Sequence, residues 1–130
     1  MIMETGGMKG RKEEMIRQTV HEKLSAAFHL PHIHSEYGMT ELLSQAYALS
    51  GGIFQCPPWM KILLREEDDP FTLINQPQSR GVINVIDLAN LYSCSFIATE
   101  DAGRLHEGGR FEVLGRVDHS EVRGCSLMAV

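Results

Sequence analysis

The chain has 130 residues, of which 43% are hydrophobic and 22% are charged, a balance typical of one modest globular domain. Seventeen acidic residues against twelve basic ones give a formal net charge of -5 without a basic run, which disfavours nucleic-acid binding. No apolar run reaches the roughly 18 residues that span a bilayer, and the N-terminus lacks the features of a secretory signal, so we expect a cytoplasmic protein with no membrane span.

The first part of the sequence predicts one amphipathic helix over about residues 9–28. Apolar residues recur there at every fourth position, which places them on one helix face. A short strand is expected within residues 32–37, and Thr40 is then predicted to cap a short turn of helix over residues 41–43. The apolar stripe of the long helix consists of Ile16, Val20, Leu24 and Phe28.

From about residue 51 onward, glycines and prolines interrupt runs of Ile, Leu, Val and Phe, which is typical of strands. Residues 107–110 are predicted to form a hairpin turn. We therefore expect an α+β fold, in which one N-terminal helix precedes an antiparallel, barrel-like β-rich half. The predicted domain is single and covers residues 1–130, with a first segment over 1–50 that contains the helix and the short motif discussed next, a β-rich subdomain over 51–119 and a flexible tail over 120–130. The predicted strands lie at about residues 60–66, 81–88, 95–99 and 111–117.

A short segment after the first predicted strand carries the chemistry of a nucleotide site. The Tyr37 ring can stack on a base, and Gly38 allows a close approach to the backbone. Thr40 can donate to a phosphate, and Glu41 can hold Mg²⁺ through oxygen. The same residues also suit a purely structural turn that leads into a capped helix. The residue chemistry alone leaves both interpretations open.

Two later segments make the nucleotide interpretation more specific. Together with residues 37–41, residues 99–104 (Thr-Glu-Asp-Ala-Gly-Arg) and 115–118 (Gly-Arg-Val-Asp) resemble core motifs of the adenylate-forming superfamily. That superfamily includes acyl-CoA synthetases, luciferases and peptide-synthetase adenylation domains. Segments 35–43, 56–60 and 81–89 are most similar to the acyl-protein synthetases of bacterial luminescence operons, and the phenylacetate-CoA ligases are a more distant match. The resemblance implies the C-terminal portion of such a catalytic domain.

The resemblance assigns ATP or AMP and Mg²⁺ as ligands of the first motif. It implies that Tyr37 and Gly38 line the adenine ring. Thr40 would contact phosphate, and Glu41 would bind Mg²⁺ and act as a catalytic residue. Gly6 and Gly7 resemble the glycine pair that passes the adenine and acyl pocket.

The resemblance also assigns roles to the later motifs. Asp101 corresponds to the aspartate that accepts both ribose hydroxyls, although Glu100 replaces the usual glycine before it. Arg116 would approach the ribose or the phosphate. Asp118 corresponds to the hinge about which the small C-terminal domain of the family rotates.

Two elements of the resembled family have no match in this sequence. These are the Gly/Ser/Thr-rich loop that cradles the triphosphate and the catalytic lysine of the usual C-terminal domain. We therefore expect a fragment that cannot form a complete adenylation site by itself, and a separate N-terminal adenylation fragment is the expected partner.

The implied function is part of an ATP-dependent acyl-protein synthetase, which forms acyl-AMP from a fatty acid or another carboxylate. Cys125 lies where such enzymes carry the cysteine that accepts the acyl group as a thioester, before delivery to an acyl reductase. A deprotonated thiol is a good nucleophile toward an activated acyl group. Residue chemistry alone favours an ordinary tail thiol at Cys125, and the acyl-acceptor role depends on the resemblance. The alternatives are a fragment similar to phenylacetate-CoA ligase, and a non-catalytic remnant or subunit that needs a partner chain.

Overall fold

The computed structural model describes residues 1–6 and 17–117. These residues form one α-helix and nine strands, and the strands lie in two sheets. The helix is α1 (Arg17–Phe28). The strands are β1 (Met3–Glu4), β2 (His34–Tyr37), β3 (Ala46–Ala48), β4 (Ile53–Phe54), β5 (Met60–Arg65), β6 (Leu73–Ile74), β7 (Arg80–Asp87), β8 (Phe96–Leu105) and β9 (Phe111–Arg116).

The larger sheet has six antiparallel strands in the order β4-β9-β8-β7-β5-β6. Strand β5 alternates buried and more exposed residues along its length, because successive side chains of a strand point to opposite faces. The predicted strands over residues 60–66, 81–88 and 111–117 correspond to β5, β7 and β9. The predicted barrel is not confirmed: within the described residues β4 and β6 lie at opposite ends of an open sheet.

The smaller sheet has the order β1-β2-β3. Strand β1 runs parallel to β2, and β2 runs antiparallel to β3. A bridge between Tyr47 and Gln55 connects the smaller sheet to the beginning of the larger one. The two sheets are therefore joined side to side near β3 and β4.

Three aromatic rings from both sheets pack together in the core. Tyr37 comes from β2, Phe54 from β4 and Phe111 from β9, and both phenylalanines are fully buried. The ring centroid of Phe111 lies 5.3 Å from the centroid of the Tyr37 ring and 5.3 Å from that of the Phe54 ring. Large aromatic side chains bury much apolar surface, so this cluster contributes strongly to holding the two sheets together.

Helix α1 lies at the surface. The part of the predicted helix before Arg17 is outside the described residues. None of the residues of α1 is buried, and Phe28, which was expected in the apolar stripe, is 57% exposed. The helix ends with His29 in a left-handed conformation (φ +53°), and the Leu30 N–H donates to the Ser25 carbonyl in a Schellman arrangement. No helix in the described part of the chain is long and apolar enough to cross a membrane.

The predicted helical turn after Thr40 is wrong. Residues 40 and 41 form a turn, and no helix follows. A capping side chain would need the N–H of a residue two or three positions later, but the Leu43 N–H donates instead to the carboxylate of Asp87. A distant acceptor has replaced the local one.

Candidate functional site

The candidate site is centred on a hydrogen bond between the two sheets. Tyr37 is the last residue of β2, and its hydroxyl donates to Oδ2 of Asp101 in β8 at 2.9 Å. Burial raises the pKa of Tyr37, and the negative charge of Asp101 raises it further. The hydroxyl therefore remains protonated and acts as the donor. The structure thus brings together two residues that lie 64 positions apart in the sequence.

Arg116 completes the cluster from the neighbouring strand. It pairs with Asp101 in the register of β8 and β9, and its Nε lies 3.5 Å from Asp101 Oδ1. The Arg116 side chain is 74% exposed, whereas that of Asp101 is 17% exposed. Asp101 is therefore the fixed member of this ion pair, and the guanidinium is the member that is open to solvent. Three residues from three separate predicted motifs meet at this point.

The backbone at Asp101 is held by the buried hydroxyl of Thr99. The Asp101 N–H donates to Thr99 Oγ1 at 3.0 Å, and that hydroxyl donates to the Ile83 carbonyl of β7 at 2.8 Å. Arg65 of β5 reaches across β7 to donate to the Thr99 carbonyl at 2.9 Å. These contacts from the centre of the larger sheet fix the backbone from which the Asp101 carboxylate projects.

The Tyr37 ring is part of the core. Its side chain is only 7% exposed, because it packs against Phe54 and Phe111. Stacking of a base on this ring would require its faces to be uncovered, so the predicted adenine contact stays a prediction. Gly38, the next residue, is exposed and leaves its backbone accessible.

Thr40 and Glu41 lie on an exposed turn between β2 and β3. No cluster of three or more His, Cys, Asp or Glu side chains within residues 1–6 and 17–117 is arranged to hold a metal ion. Glu41 therefore offers a single carboxylate. Mg²⁺ is commonly held by one or two carboxylates together with substrate phosphates, so Glu41 fits this ion as part of a metal–nucleotide complex.

Asp87, at the end of β7, is a residue that the sequence analysis missed. Its side chain is fully buried, and its carboxylate accepts the N–H groups of Leu43, Ser44 and Ala89 and the Ser44 hydroxyl. Burial alone would raise the pKa of Asp87, but these hydrogen bonds outweigh burial and lower it. Asp87 therefore stays ionised. The available signal in the sequence is an acidic residue that closes an apolar strand. Such a residue, if buried, needs several hydrogen-bond partners from elsewhere in the fold.

Gly6 lies at the same edge of the smaller sheet as Tyr37. Because β1 and β2 are parallel, with Glu4 opposite Ser35, their carboxyl ends meet at one edge. Gly6 has a φ of +73°, which favours glycine, and its N–H donates to the Glu4 carboxylate. The other predicted residues Gly7, Asp118 and Cys125 lie outside the described residues.

A second polar cluster lies between α1 and the smaller sheet. The Glu4 carboxylate contacts Arg17 Nε at 2.9 Å and His21 Nε2 at 3.3 Å, and His21 Nε2 lies 3.1 Å from the Ser35 hydroxyl. Burial raises the pKa of Glu4, but its contacts with Ser35, Arg17 and His21 lower it by more. This cluster attaches α1 to the sheet and does not include the predicted nucleotide ligands.

Comparison with known proteins gives no match to a protein family, and no curated protein matches the chain. Several solved structures do match. MatB from Rhodopseudomonas palustris with bound ATP is 19% identical, with a TM-score of 0.56 over 75% of this chain and 23% of that chain. The O-succinylbenzoate Coenzyme A synthetase from Bacillus subtilis in complex with AMP is 22% identical, with a TM-score of 0.52 over 72% of this chain and 23% of that chain. A luciferase-like enzyme from the nonluminescent mealworm Zophobas morio is 20% identical, with a TM-score of 0.51 over 79% of this chain and 30% of that chain.

These likenesses show the fold. The described chain is mostly antiparallel sheet with one helix, and it matches a part of the adenylate-forming fold. It spans about 23% of the length of MatB. The fold implied by the sequence resemblance is therefore confirmed, whereas the acyl-protein synthetase type is not.

Proposed function

We propose that this chain is part of an adenylate-forming enzyme and binds the AMP moiety of ATP beside Asp101. The observation that carries the proposal is the meeting of Tyr37, Asp101 and Arg116, which belong to three motifs of the resembled superfamily. The fold supports it, since two of the matching structures hold ATP and AMP.

In this proposal Asp101 binds the ribose. Its carboxylate has two oxygens with acceptor capacity beyond the Tyr37 hydrogen bond, so it can accept from the ribose hydroxyls. Arg116 has a charged group that is open to solvent and lies next to the same carboxylate, which suits contact with the ribose or the phosphate. Thr40 and Glu41 face the phosphates from the turn. Mg²⁺ bound there would neutralise phosphate charge and favour attack at phosphorus.

The finer proposal is that the enzyme is an acyl-protein synthetase. The carboxylate of a fatty acid attacks the α-phosphorus of ATP, which gives acyl-AMP and pyrophosphate. The Cys125 thiolate then attacks the acyl carbonyl, a thioester forms, and AMP leaves. Asp118 would serve as the hinge. An acyl reductase is the expected consumer of the thioester, and a separate chain with the phosphate loop is the expected partner.

A second candidate is a non-catalytic subunit that works only by pairing with another chain. Several apolar side chains at one end of the larger sheet favour it, because exposed apolar surface of this kind commonly marks an interface. These are Leu88, Leu91, Tyr92 and Phe96, which are 49%, 68%, 105% and 70% exposed.

Nucleotide binding is tested by calorimetric titration of the chain with AMP. We expect the wild type to bind AMP and Asp101→Asn to lose at least about tenfold in affinity, because a hydrogen bond to a charged group contributes about 1.5–3 kcal/mol. Asp69→Asn is the matched control, since Asp69 accepts hydrogen bonds in an exposed turn of the larger sheet. Equal AMP affinity in the wild type and Asp101→Asn would refute the assignment of Asp101.

Acyl transfer is tested with radiolabelled myristic acid, ATP and Mg²⁺, with and without an added N-terminal adenylation fragment. Hydroxylamine-sensitive label on the wild type, and none on Cys125→Ser, is the expected result for an acyl-protein synthetase. Label that passes to free CoA while Cys125 stays unlabelled would indicate a CoA ligase instead. No label under any condition would leave the non-catalytic subunit as the better interpretation.

A further inference from the structure

We infer that Asp87 is a positioning residue, which fixes the loop of residues 38–44 and thereby places Thr40 and Glu41 for the phosphate and Mg²⁺ of a bound nucleotide. The inference rests on the proposed function and assigns a role to a residue that lies in none of the three motifs. Asp87 itself contacts no ligand in this arrangement, since its carboxylate is fully buried.

The carboxylate and the loop hold each other in place. Oδ2 accepts the N–H groups of Leu43 and Ser44, both at 2.9 Å, and Oδ1 accepts the Ser44 hydroxyl at 2.7 Å. The fourth donor is the N–H of Ala89 at 3.1 Å, from the turn that follows β7. A buried carboxylate without such donors carries a large desolvation cost. Any movement of the loop away from β7 would therefore leave a buried charge with one hydrogen bond.

Asn90 provides a second attachment, at the motif residue itself. Its side-chain Nδ2 donates to the Glu41 carbonyl at 2.8 Å and to the Cys94 carbonyl at 2.9 Å. Within the loop, the Leu42 N–H donates to the Met39 carbonyl at 3.1 Å, and the Leu42 side chain is buried. The backbone of the loop is thus fixed on both sides of Glu41.

The side chains of Thr40 and Glu41 remain exposed on this fixed backbone. A rigid backbone with outward-facing ligand groups binds without a large cost of ordering the loop. Asp101 and Arg116 are held instead by β8 and β9. The nucleotide contacts therefore divide into a phosphate side that depends on Asp87 and a ribose side that does not.

This division gives a test that a purely structural role would fail. Asp87→Asn keeps the size of the side chain but replaces one carboxylate oxygen with an NH₂ group. That group is a donor and cannot accept the hydrogen bonds that the oxygen accepted. We expect the variant's Kd for Mg–ATP to rise about tenfold, while its Kd for adenosine, which carries the ribose but no phosphate, stays within about twofold of the wild type. Asp69→Asn, in the exposed turn, is the control and should change neither constant. If Asp87→Asn does not fold, Asn90→Ala serves as a second variant with the same expected direction.

The possible results separate this inference from the proposed function. An equal loss of affinity for adenosine and Mg–ATP, or no loss for either, would overturn the positioning role. If the wild type binds neither adenosine nor Mg–ATP, the proposed function fails, and with it the nucleotide part of the inference. Amide hydrogen exchange then decides the structural part: faster exchange at Leu43 and Ser44 in Asp87→Asn supports a loop fixed by Asp87, and unchanged exchange refutes it.

Discussion

The hydrogen bond between Tyr37 and Asp101 joins the two sheets at the candidate site, so its energetic contribution can be measured directly. Tyr37→Phe removes the hydroxyl and leaves the ring packed against Phe54 and Phe111. A hydrogen bond to a charged group contributes about 1.5–3 kcal/mol. Asp101 keeps Arg116 at 3.5 Å, so the carboxylate is not left without a partner. We therefore expect the lower end, a loss of about 1.5 kcal/mol in the free energy of unfolding.

The measurement is urea unfolding of both proteins at pH 7. We expect the free energy of unfolding to fall with urea concentration at the same slope in both, so that their stabilities can be compared directly. Tyr92→Phe is the matched control, because Tyr92 is 105% exposed and the same atom is removed. Surface substitutions usually stay within about 0.5 kcal/mol. A loss for Tyr37→Phe that is no larger than for Tyr92→Phe would refute the argument that this hydrogen bond stabilises the fold.

The stability difference between the wild type and Tyr37→Phe should depend on pH. Burial, and then the charge of Asp101, raise the pKa of Tyr37 above its ordinary value of about 10. A group whose folded pKa is raised contributes stability that is present below the unfolded pKa and is lost as the pH rises above it. The stability difference between the wild type and Tyr37→Phe should therefore narrow above about pH 10. A difference that stays constant up to pH 11 would contradict this assignment.

Three further predictions concern the rest of the fold. Gly81→Ala would place a Cβ 2.6 Å from the Arg65 carbonyl oxygen of the adjacent strand, and we expect a loss of about 2 kcal/mol in denaturant unfolding; full tolerance would contradict the register. Glu4→Gln should destabilise at pH 7 but much less at pH 3 in thermal unfolding, because a lowered pKa gives stability that is lost in acid. Phe54→Ala, at a fully buried ring, should lower the free energy of unfolding by about 3–5 kcal/mol and weaken the near-ultraviolet circular dichroism signal; a native spectrum with unchanged stability would exclude Phe54 from the core.

The strands that the sequence predicts well are those with a clear two-residue alternation. In β5, buried apolar residues alternate with more exposed ones, and Pro57 and Pro58 precede the strand. The alternation in β7 begins only at Ile83, because Val82 and Ile83 are both buried beside a shift in register with β8. Such a pattern is local, so it can be read without the rest of the fold. The turn at residues 107–109 is equally local, and Gly108 and Gly109 adopt positive φ values that glycine favours.

The elements that the sequence analysis missed depend on distant partners. Two of the three residues of strand β3 (Ala46–Ala48) are alanines, which have little preference for strands, and the strand forms by pairing with β2. The sequence predicts a strand over residues 95–99, but β8 continues to Leu105, although residues 100–104 include an aspartate and a glycine. Pairing with β7 and β9 on both sides overrides those local preferences.

The candidate site was predictable only in part. Tyr37, Asp101 and Arg116 were found through their motifs, and the structure brings them together. The ring packing of Tyr37 was not predictable, because Phe54 and Phe111 belong to other strands. The local signal of Asp87, an acidic residue closing an apolar strand, does not distinguish it, since a single aspartate after an apolar run also suits a solvent-exposed turn.

The contact between Asp87 and the loop has a consequence for the order of folding. The carboxylate lies 44 residues from Leu43 and 43 residues from Ser44 along the chain. Contacts with large sequence separation form late, because chain closure must come first. We expect the loop to reach its final shape only after β7 has joined its neighbours. A peptide of residues 1–50 would carry Tyr37, Thr40 and Glu41 but lack the acceptor that shapes their loop, so the geometry of this motif is encoded in the later half of the chain.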